Sequence, residues 1–364
     1  MPPDMEIVAL VTTLIASLLA LLLTPLVRAV ALRIGFVDQP GVRKIHSQPV
    51  AYGGGIAVAA AMLLALLAVL GQNWYSIPMK IGAFGPDKAT TTTLLATAAG
   101  ACGALILGLV DDRLKLSPYT KLAGQAVLAV LAVAGGVRIT AFIGDNWFMK
   151  GFTVLWIVLI TNSFNLLDNM DGLCSGTVAI AAAMLALVAL EGQQWASTLA
   201  LSALCGACLG FLRYNRSPAT IFLGDAGSLF VGYVMACFTA LVTYYHPNLS
   251  RTSYAASHLA IGIPVLILAI PLYDTLSVIF IRLQEGRPVM RGDNSHFSHR
   301  LVDLGMNRRQ AVTTIHLACL AIGLPATVLG QLSEARGLLI IGQAFLVLTI
   351  VALLERAGRN RANK

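Results

Sequence analysis

Apolar positions run unbroken for long stretches, and the polar ones collect between them. The runs occupy 5–27, 53–71, 91–110, 121–137, 151–166, 173–190, 196–213, 226–245, 258–281, 311–331 and 335–354. A helix crossing a bilayer needs roughly 17 to 25 such residues. Apolar side chains fill all sides of each run, as suits helices surrounded by lipid and by one another. The pattern predicts an all-α integral membrane protein of about eleven transmembrane helices, forming one polytopic domain over 1–364. The first run is too long and too early for a cleaved leader, and acidic Asp4 and Glu6 stand at its start in place of bases.

Composition agrees. The chain is 57% hydrophobic and 12% charged, where soluble domains carry roughly 25% charged residues. Mean hydropathy is +0.78. No linker and no repeat period suggests a second domain.

Charge placement predicts orientation. The alternate connections 28–50, 111–121, 213–216, 282–309 and the tail 355–364 hold 19 of the 25 Lys and Arg residues. Bases mark the cytoplasmic side, so the N-terminus is expected outside and the C-terminus inside. The net charge of +8 is largely this bias, and no motif for nucleic acid accompanies it. Cys205 and Cys208 form a C-x-x-C spacing, but within a run of small residues and without the four ligands zinc needs. They read as packing residues.

The cytoplasmic connections carry the unusual chemistry: "DQPGVRKIHSQPVAYGGG", "DDRLKLSPYTK", "NSFNLLDNMDGLCSG", "RYNRSPATIFLGDAGS" and "RLQEGRPVMRGDNSHFSHRLVDLGMNRR". A transporter would place ionisable groups near the bilayer midplane. Here carboxylates stand at the ends of runs, except Asp274, which either lines a site or makes a buried pair. One polar membrane face suits an enzyme joining a soluble substrate to a lipid-borne one.

Asp111 and Asp112 point about 100° apart on a helix end. They either form a solvated end neutralised by Arg113 and Lys115 or share a pocket that needs a cation. Asn162, Asn165, Asp168 and Asp171 recur every third residue, a ladder of oxygen donors if the turn stays helical, with Gly172 and Gly176 allowing tight turns. Hard oxygens suit Mg²⁺, with Mn²⁺ as substitute, better than zinc. Asp225 in "FLGDAGS" is either a helix cap or a metal ligand beside a phosphate-binding helix start. Lys121, Arg287, Arg291, His296, His299 and Arg300 supply cations for phosphates. His46 reads equally as a donor contact or a solvated loop residue, and Arg308 and Arg309 as headgroup anchors. Acids for a metal and bases for phosphates together describe phosphoryl transfer.

With those residues in view, "GLVDDRLKLSPYTKLAGQ", "NSFNLLDNMDGL", "FLGDAGSLFVGY" and "DNSHFSHRLVDLGMNRRQ" resemble, in order and over about residues 35–320, the polyprenyl-phosphate N-acetylhexosamine-1-phosphate transferases. The H-x-S-H-R-L form is similar to the branch that starts O-antigen, enterobacterial common antigen or teichoic-acid linkage units. The phospho-MurNAc-pentapeptide transferase branch, kept as an alternative, tends to carry three consecutive histidines there.

The resemblance implies a bacterial inner-membrane enzyme with a cytoplasmic site. Undecaprenyl phosphate attacks the β-phosphorus of UDP-GlcNAc and UMP leaves. It implies Mg²⁺ on Asp225 with Asn165 or Asp168 near it, Asp111, Asp112 and Asp168 as catalytic residues, and Asp171 and Phe222 at the uridine end. Lys121, Asn162, Arg287, His296, His299 and Arg300 then bind substrate. The partners are a UDP-sugar and undecaprenyl phosphate, with no nucleic acid; a homodimer stays open. Asn169 departs from the family's D-G-x-D-G, and a left-handed turn there would explain asparagine. A covalent aspartyl-phosphate route, a CDP-alcohol phosphotransferase and a flippase are the rivals.

Overall fold

A computed structural model describes residues 4–39, 48–73, 88–139, 146–244, 259, 262–290 and 295–362. In chain order it contains α1 (Asp4–Arg33), β1 (Val37–Asp38), β2 (Val50–Ala51), α2 (Gly54–Asn73), α3 (Lys88–Leu114), α4 (Pro118–Ala134), α5 (Trp147–Leu167) and α6 (Leu173–Glu191). There follow α7 (Trp195–Asn215), α8 (Gly224–Tyr244), α9 (Gly262–Ile267), α10 (Ala269–Gln284), α11 (Phe297–Asp303), α12 (Arg308–Ala326), a 3₁₀ turn at Leu329–Gln331, and α13 (Glu334–Ala362). Strands β1 and β2 make one antiparallel pair, Val37 opposite Ala51.

Among the described residues nine helices are long and apolar enough to cross a bilayer: α1, α2, α3, α5, α6, α7, α8, α12 and α13. The protein is an all-α, multi-pass membrane protein. Two predicted runs differ from this set. The run 121–137 became α4, whose 17 residues reach only about 25 Å at 1.5 Å per residue. It starts early because Ser117 caps it and Pro118 takes its first position. The run 258–281 is broken at Leu268 between α9 and α10. Pro271 cannot donate to the carbonyl of Ile267 and crowds it, so the helix restarts there.

Burial grades inward. In α8, 94% of the span is buried, against 22% in α1 and 11% in α13. On α1, Leu10, Leu14, Leu18, Leu22 and Leu26 are all more than half exposed. That spacing of four makes an apolar stripe for lipid. Helix α8 packs against α2, α3 and α5. A Cβ on Gly108 would lie 2.3 Å from the Asp225 carbonyl oxygen, so α3 touches the first turn of α8 backbone to backbone.

Hydrogen bonds gather several helix ends together. Arg28 Nε on α1 donates to the Thr220 carbonyl at 3.1 Å. The Gly54 amide of α2 donates to the Phe222 carbonyl at 3.0 Å. The Gly172 amide before α6 donates to Asn215 Oδ1 of α7 at 3.1 Å. The polar segments that sequence places on one face therefore meet at one end of the bundle.

Candidate active site

Helix α3 stops just after its acidic pair because Lys115 turns left-handed (φ 51°). Asp111 is 6% exposed. Its Oδ1 accepts the Leu116 amide at 2.8 Å, and its Oδ2 lies 2.6 Å from Lys121 Nζ. Lys121, in the first turns of α4, reaches on to Asp225 Oδ1 at 2.8 Å. One ammonium from α4 thus sits between two carboxylates, one from α3 and one from α8. Asp112, about 100° around α3, faces elsewhere. Its oxygens accept the backbone amides of Asp225 at 2.8 Å and Ala226 at 3.0 Å. A carboxylate from α3 therefore caps the start of α8 and matches its positive dipole end. Gly224 makes the approach at φ +74°, and a Cβ there would lie 2.8 Å from Asp112 Oδ2.

The ladder of donors in the third segment divides. Helix α5 ends at Leu167 with Asp168 as its C-cap, so the helical period stops halfway along. Asn165 Nδ2 donates to Asp225 Oδ1 and, at 2.8 Å, to Ser228 Oγ. Its amide nitrogen, and not its oxygen, faces the aspartate. Asp168 joins this cluster. Burial above all, and then the charges of Asp225, Asp112 and Asp171, hold its carboxyl well above the usual range, against a Gly224 backbone hydrogen bond that lowers it. Asn162 is turned away, its amide exchanging hydrogen bonds with Gln125 of α4. Asp171 also leaves the cluster, its Oδ2 accepting the Ala219 amide at 3.0 Å.

Asn169 does not take the left-handed conformation considered for it; Gly172 does, at φ +76°. Asparagine serves here through its side chain. Nδ2 donates to the Leu166 carbonyl at 2.7 Å, and Oδ1 accepts from Ser298 Oγ. That contact docks α11 onto the loop between α5 and α6.

The basic segment is largely tied into the fold. Asp274, 1% exposed, is a buried pair partner: its Oδ2 lies 2.9 Å from His296 Nδ1, and its Oδ1 accepts the Phe297 amide at 2.5 Å. Arg300 Nε stands 3.1 Å from Glu355 Oε1 of α13, close enough for an ion pair but not aligned as a hydrogen bond. Arg300 Nη2 donates to Ser277 Oγ at 2.8 Å. His299 is less enclosed, and burial, then His296 and Arg308, lower its pKa. Arg287 is exposed and paired with Glu285. Arg291 and His46 lie outside the described residues.

Phe222 bridges to the β2 region, its amide donating to the Ala51 carbonyl at 2.9 Å, with its ring 6.1 Å from that of Tyr52. Burial first, and then Asp38, Asp112 and Asp225, raise the Tyr52 hydroxyl. Asp171 instead lines a cavity of about 600 Å³ with Arg213, Arg216, Arg309, Tyr214 and His316. Sequence reasoning did not single out Ser228, Gln125, Tyr52, Ser298 or Glu355. Ser228 had a signal, since it stands one turn after Asp225 in "GDAGS", and Ser298 is the serine of the H-x-S-H-R-L form; the others had none.

Among the described residues no three His, Cys, Asp or Glu side chains converge as a metal cage. The donor set still fits Mg²⁺. That ion keeps several waters and takes only one or two carboxylates beside substrate phosphates. Asp225 and Asp111 already share a cation, the Lys121 ammonium.

The model of the family described as "Glycosyl transferase family 4" matches residues 94–243. That stretch runs from α3 through α8 and contains Asp111, Asp112, Lys121, Asn165, Asp168 and Asp225. The "Probable undecaprenyl-phosphate N-acetylglucosaminyl 1-phosphate transferase" of Bacillus subtilis (strain 168) is 33% identical over 359 residues, 96% of this chain and 93% of that protein. The "Decaprenyl-phosphate N-acetylglucosaminephosphotransferase" of Mycolicibacterium smegmatis is 31% identical over 94% of this chain and 88% of its own length. The "Undecaprenyl-phosphate alpha-N-acetylglucosaminyl 1-phosphate transferase" of Escherichia coli O157:H7 is 27% identical over 80% and 76%. Similarity that extends from end to end, with the acidic cluster inside the matched region, places the chain in a family: it belongs to glycosyl transferase family 4.

Proposed function

We propose that this chain transfers N-acetylglucosamine 1-phosphate from UDP-GlcNAc to undecaprenyl phosphate, releasing UMP and leaving a diphosphate-linked sugar that starts a cell-envelope polysaccharide. Relatives named for that transfer support the reading. The observation that carries it is Lys121 held between Asp111 and Asp225 where α3, α4, α5 and α8 meet. Such a cluster can align two phosphate-bearing substrates and neutralise their charge.

The chemistry is a single displacement. An acceptor phosphate oxygen bonds to the β-phosphorus, the bond from that phosphorus to the bridging oxygen breaks, and UMP leaves with the electron pair. A phosphate monoester has its second pKa near 6, so the nucleophile is already largely ionised and needs no strong base. Alignment and charge stabilisation supply the rate. Mg²⁺, when bound, neutralises diphosphate charge. Asp225 would hold it, with Asn165 offering its amide oxygen once that side chain is turned end for end. Asp111 and Lys121 orient the acceptor phosphate. Asp112 acts through the backbone of α8 and sets where Asp225 stands. Asp168 borders the reacting groups. Asp171 and Phe222 take the uridine end, and Arg287, His296 and His299 the phosphates and sugar. Arg300, held by Glu355, Ser277 and the Ser295 carbonyl, keeps α11 in place.

The same reading gives eleven crossings, with α4 and the broken α9–α10 pair added to the nine long helices. It puts the N-terminus outside and the cluster at the cytoplasmic face of a bacterial plasma membrane. The bias of Lys and Arg supports this orientation.

The test is UMP release by purified protein from a panel of UDP-N-acetylhexosamines, with undecaprenyl phosphate and Mg²⁺. UDP-GlcNAc is expected to be used, EDTA to abolish turnover, and Mg²⁺ or Mn²⁺ to restore it. Asp225→Asn is expected to lose at least about 10³-fold in kcat. Full turnover in that variant would remove the metal assignment.

A further inference from the structure

Asp274 has no part in the transfer described above, yet it is only 1% exposed and lies within α10. Both its oxygens are committed to the start of α11: Oδ1 to the Phe297 amide at 2.5 Å and Oδ2 to His296 Nδ1 at 2.9 Å. The opposite nitrogen, His296 Nε2, has no hydrogen-bond partner among the described residues. The ring therefore has one face of its chemistry fixed by the protein and one left for something else. Two further contacts tie this assembly to the reacting groups. Ser298 Oγ donates to Asn169, the residue after Asp168. Thr275, next to Asp274, donates to Ser163 of α5 at 3.0 Å.

We propose that Asp274 is the positioning residue for His296: by accepting a hydrogen bond from Nδ1–H it fixes the ring's tautomer and aims Nε2 at the UDP-sugar. The inference rests on the transfer reading above, which gives His296 its substrate. A carboxylate on one ring nitrogen decides what the other can offer. It also costs nothing to organise when substrate arrives, because the Phe297 amide holds the carboxylate in place.

The experiment is a double-mutant cycle on reconstituted full-length protein, measuring kcat and the KM values for both UDP-GlcNAc and undecaprenyl phosphate. Asp274→Asn retains an oxygen for the Phe297 amide but turns an N–H toward Nδ1, reversing that hydrogen bond and moving the ring proton to Nε2. We expect kcat to fall about tenfold or more with KM for undecaprenyl phosphate unchanged. In a His296→Ala background the same change is expected to cost less than about twofold, because the ring it orients is gone. Equal losses in both backgrounds would make Asp274 purely structural and overturn the proposal. If Asp274→Asn does not fold, His296→Asn decides: it keeps a donor for Asp274 and lacks the second nitrogen. Activity equal to the unsubstituted protein there would also overturn it. An unsubstituted protein that releases no UMP would instead sink the transfer reading, so the two failures are distinct.

Discussion

Two helices at the polar end begin on a carboxylate supplied by a neighbour. Helix α8 starts on Asp112 of α3, which gives both oxygens to backbone amides. Helix α11 starts on Asp274 of α10, which gives one oxygen to an amide and the other to an imidazole. The first arrangement exhausts its carboxylate and leaves the next one, Asp225, on the capped helix itself, facing Lys121. The second keeps half of its carboxylate to orient a side chain. In the first region charges still face one another across a gap, with Lys121 between Asp111 and Asp225. In the second, Arg300, Glu355 and Tyr273 are bound among themselves. Under the proposed reading, the region that takes up phosphates and a cation keeps exchangeable charge, and the region that holds a ring still does not.

The largest effect is expected from breaking the first cap. Asp112→Ala leaves two amides at the start of α8 without their partner. At about 1.5–3 kcal/mol for each charge-assisted hydrogen bond, less what water recovers, the variant should lose about 2–4 kcal/mol of stability. It should also lose about 10³-fold in kcat, because Asp225 moves with its helix. Asp112→Asn keeps one acceptor and should lie between. Thermal unfolding and UMP release measured on the same samples check this. Loss of activity with an unchanged midpoint would mean that Asp112 meets substrate directly.

Next comes Lys121→Met, expected to lower kcat by about 10²-fold. Its sharper signature has the opposite sign. Lys121 competes with any cation for Asp225, so the Mg²⁺ concentration giving half-maximal rate should fall. An unchanged or higher requirement would show that the pair does not occupy the metal's place.

Gly108→Ala tests whether the α3–α8 contact sets the geometry. Its Cβ would come within 2.3 Å of the Asp225 carbonyl oxygen, a distance that only backbone movement relieves. About a tenfold loss in kcat is expected, since small misplacements at a reacting centre are costly. Gly151→Ala, with nothing within 4 Å of the added carbon, is the control and should be neutral.

Much of this was legible in the chain. The hydrophobic runs located the membrane helices, because lipid demands long apolar segments whatever their neighbours. The acidic and basic segments announced one polar end, because charge is kept out of the spans between them. What pattern could not show is which side chain meets which. Asp112 and the amide it caps are 113 residues apart, and no periodicity links them. The third-residue spacing from Asn162 to Asp171 suggested one ladder, but it assumed a helix that continues. α5 stops at Leu167, so Asn165 reaches Asp225 and Asp168 lies within the field of its charge, while Asn162 and Asp171 turn to other partners. Asp274 stood out as a charge within a run, and only the fold shows that its partner is His296. The broken span before it follows from Pro271, a signal that was present in the sequence but outweighed by the length of the run.

The smallest effect is expected where the second region meets α13. Glu355 lies on the last helix, accepts from the Tyr273 hydroxyl at 3.0 Å, and faces Arg300 at 3.1 Å. Glu355→Gln keeps an acceptor for Tyr273 but removes the negative charge opposite Arg300, leaving that guanidinium on Ser277 and the Ser295 carbonyl. Breaking one partner of an enclosed pair generally costs more than the pair contributes, yet the retained amide and the other contacts of Arg300 limit the loss to about 1 kcal/mol. The midpoint of unfolding should therefore fall by a few degrees at most, with kcat within about twofold, because Asp274 still holds the start of α11. A tenfold loss of kcat with normal stability would show that α13 reaches the chemistry through Arg300. The second region would then be as exchangeable as the first, and the contrast between the two caps would fail.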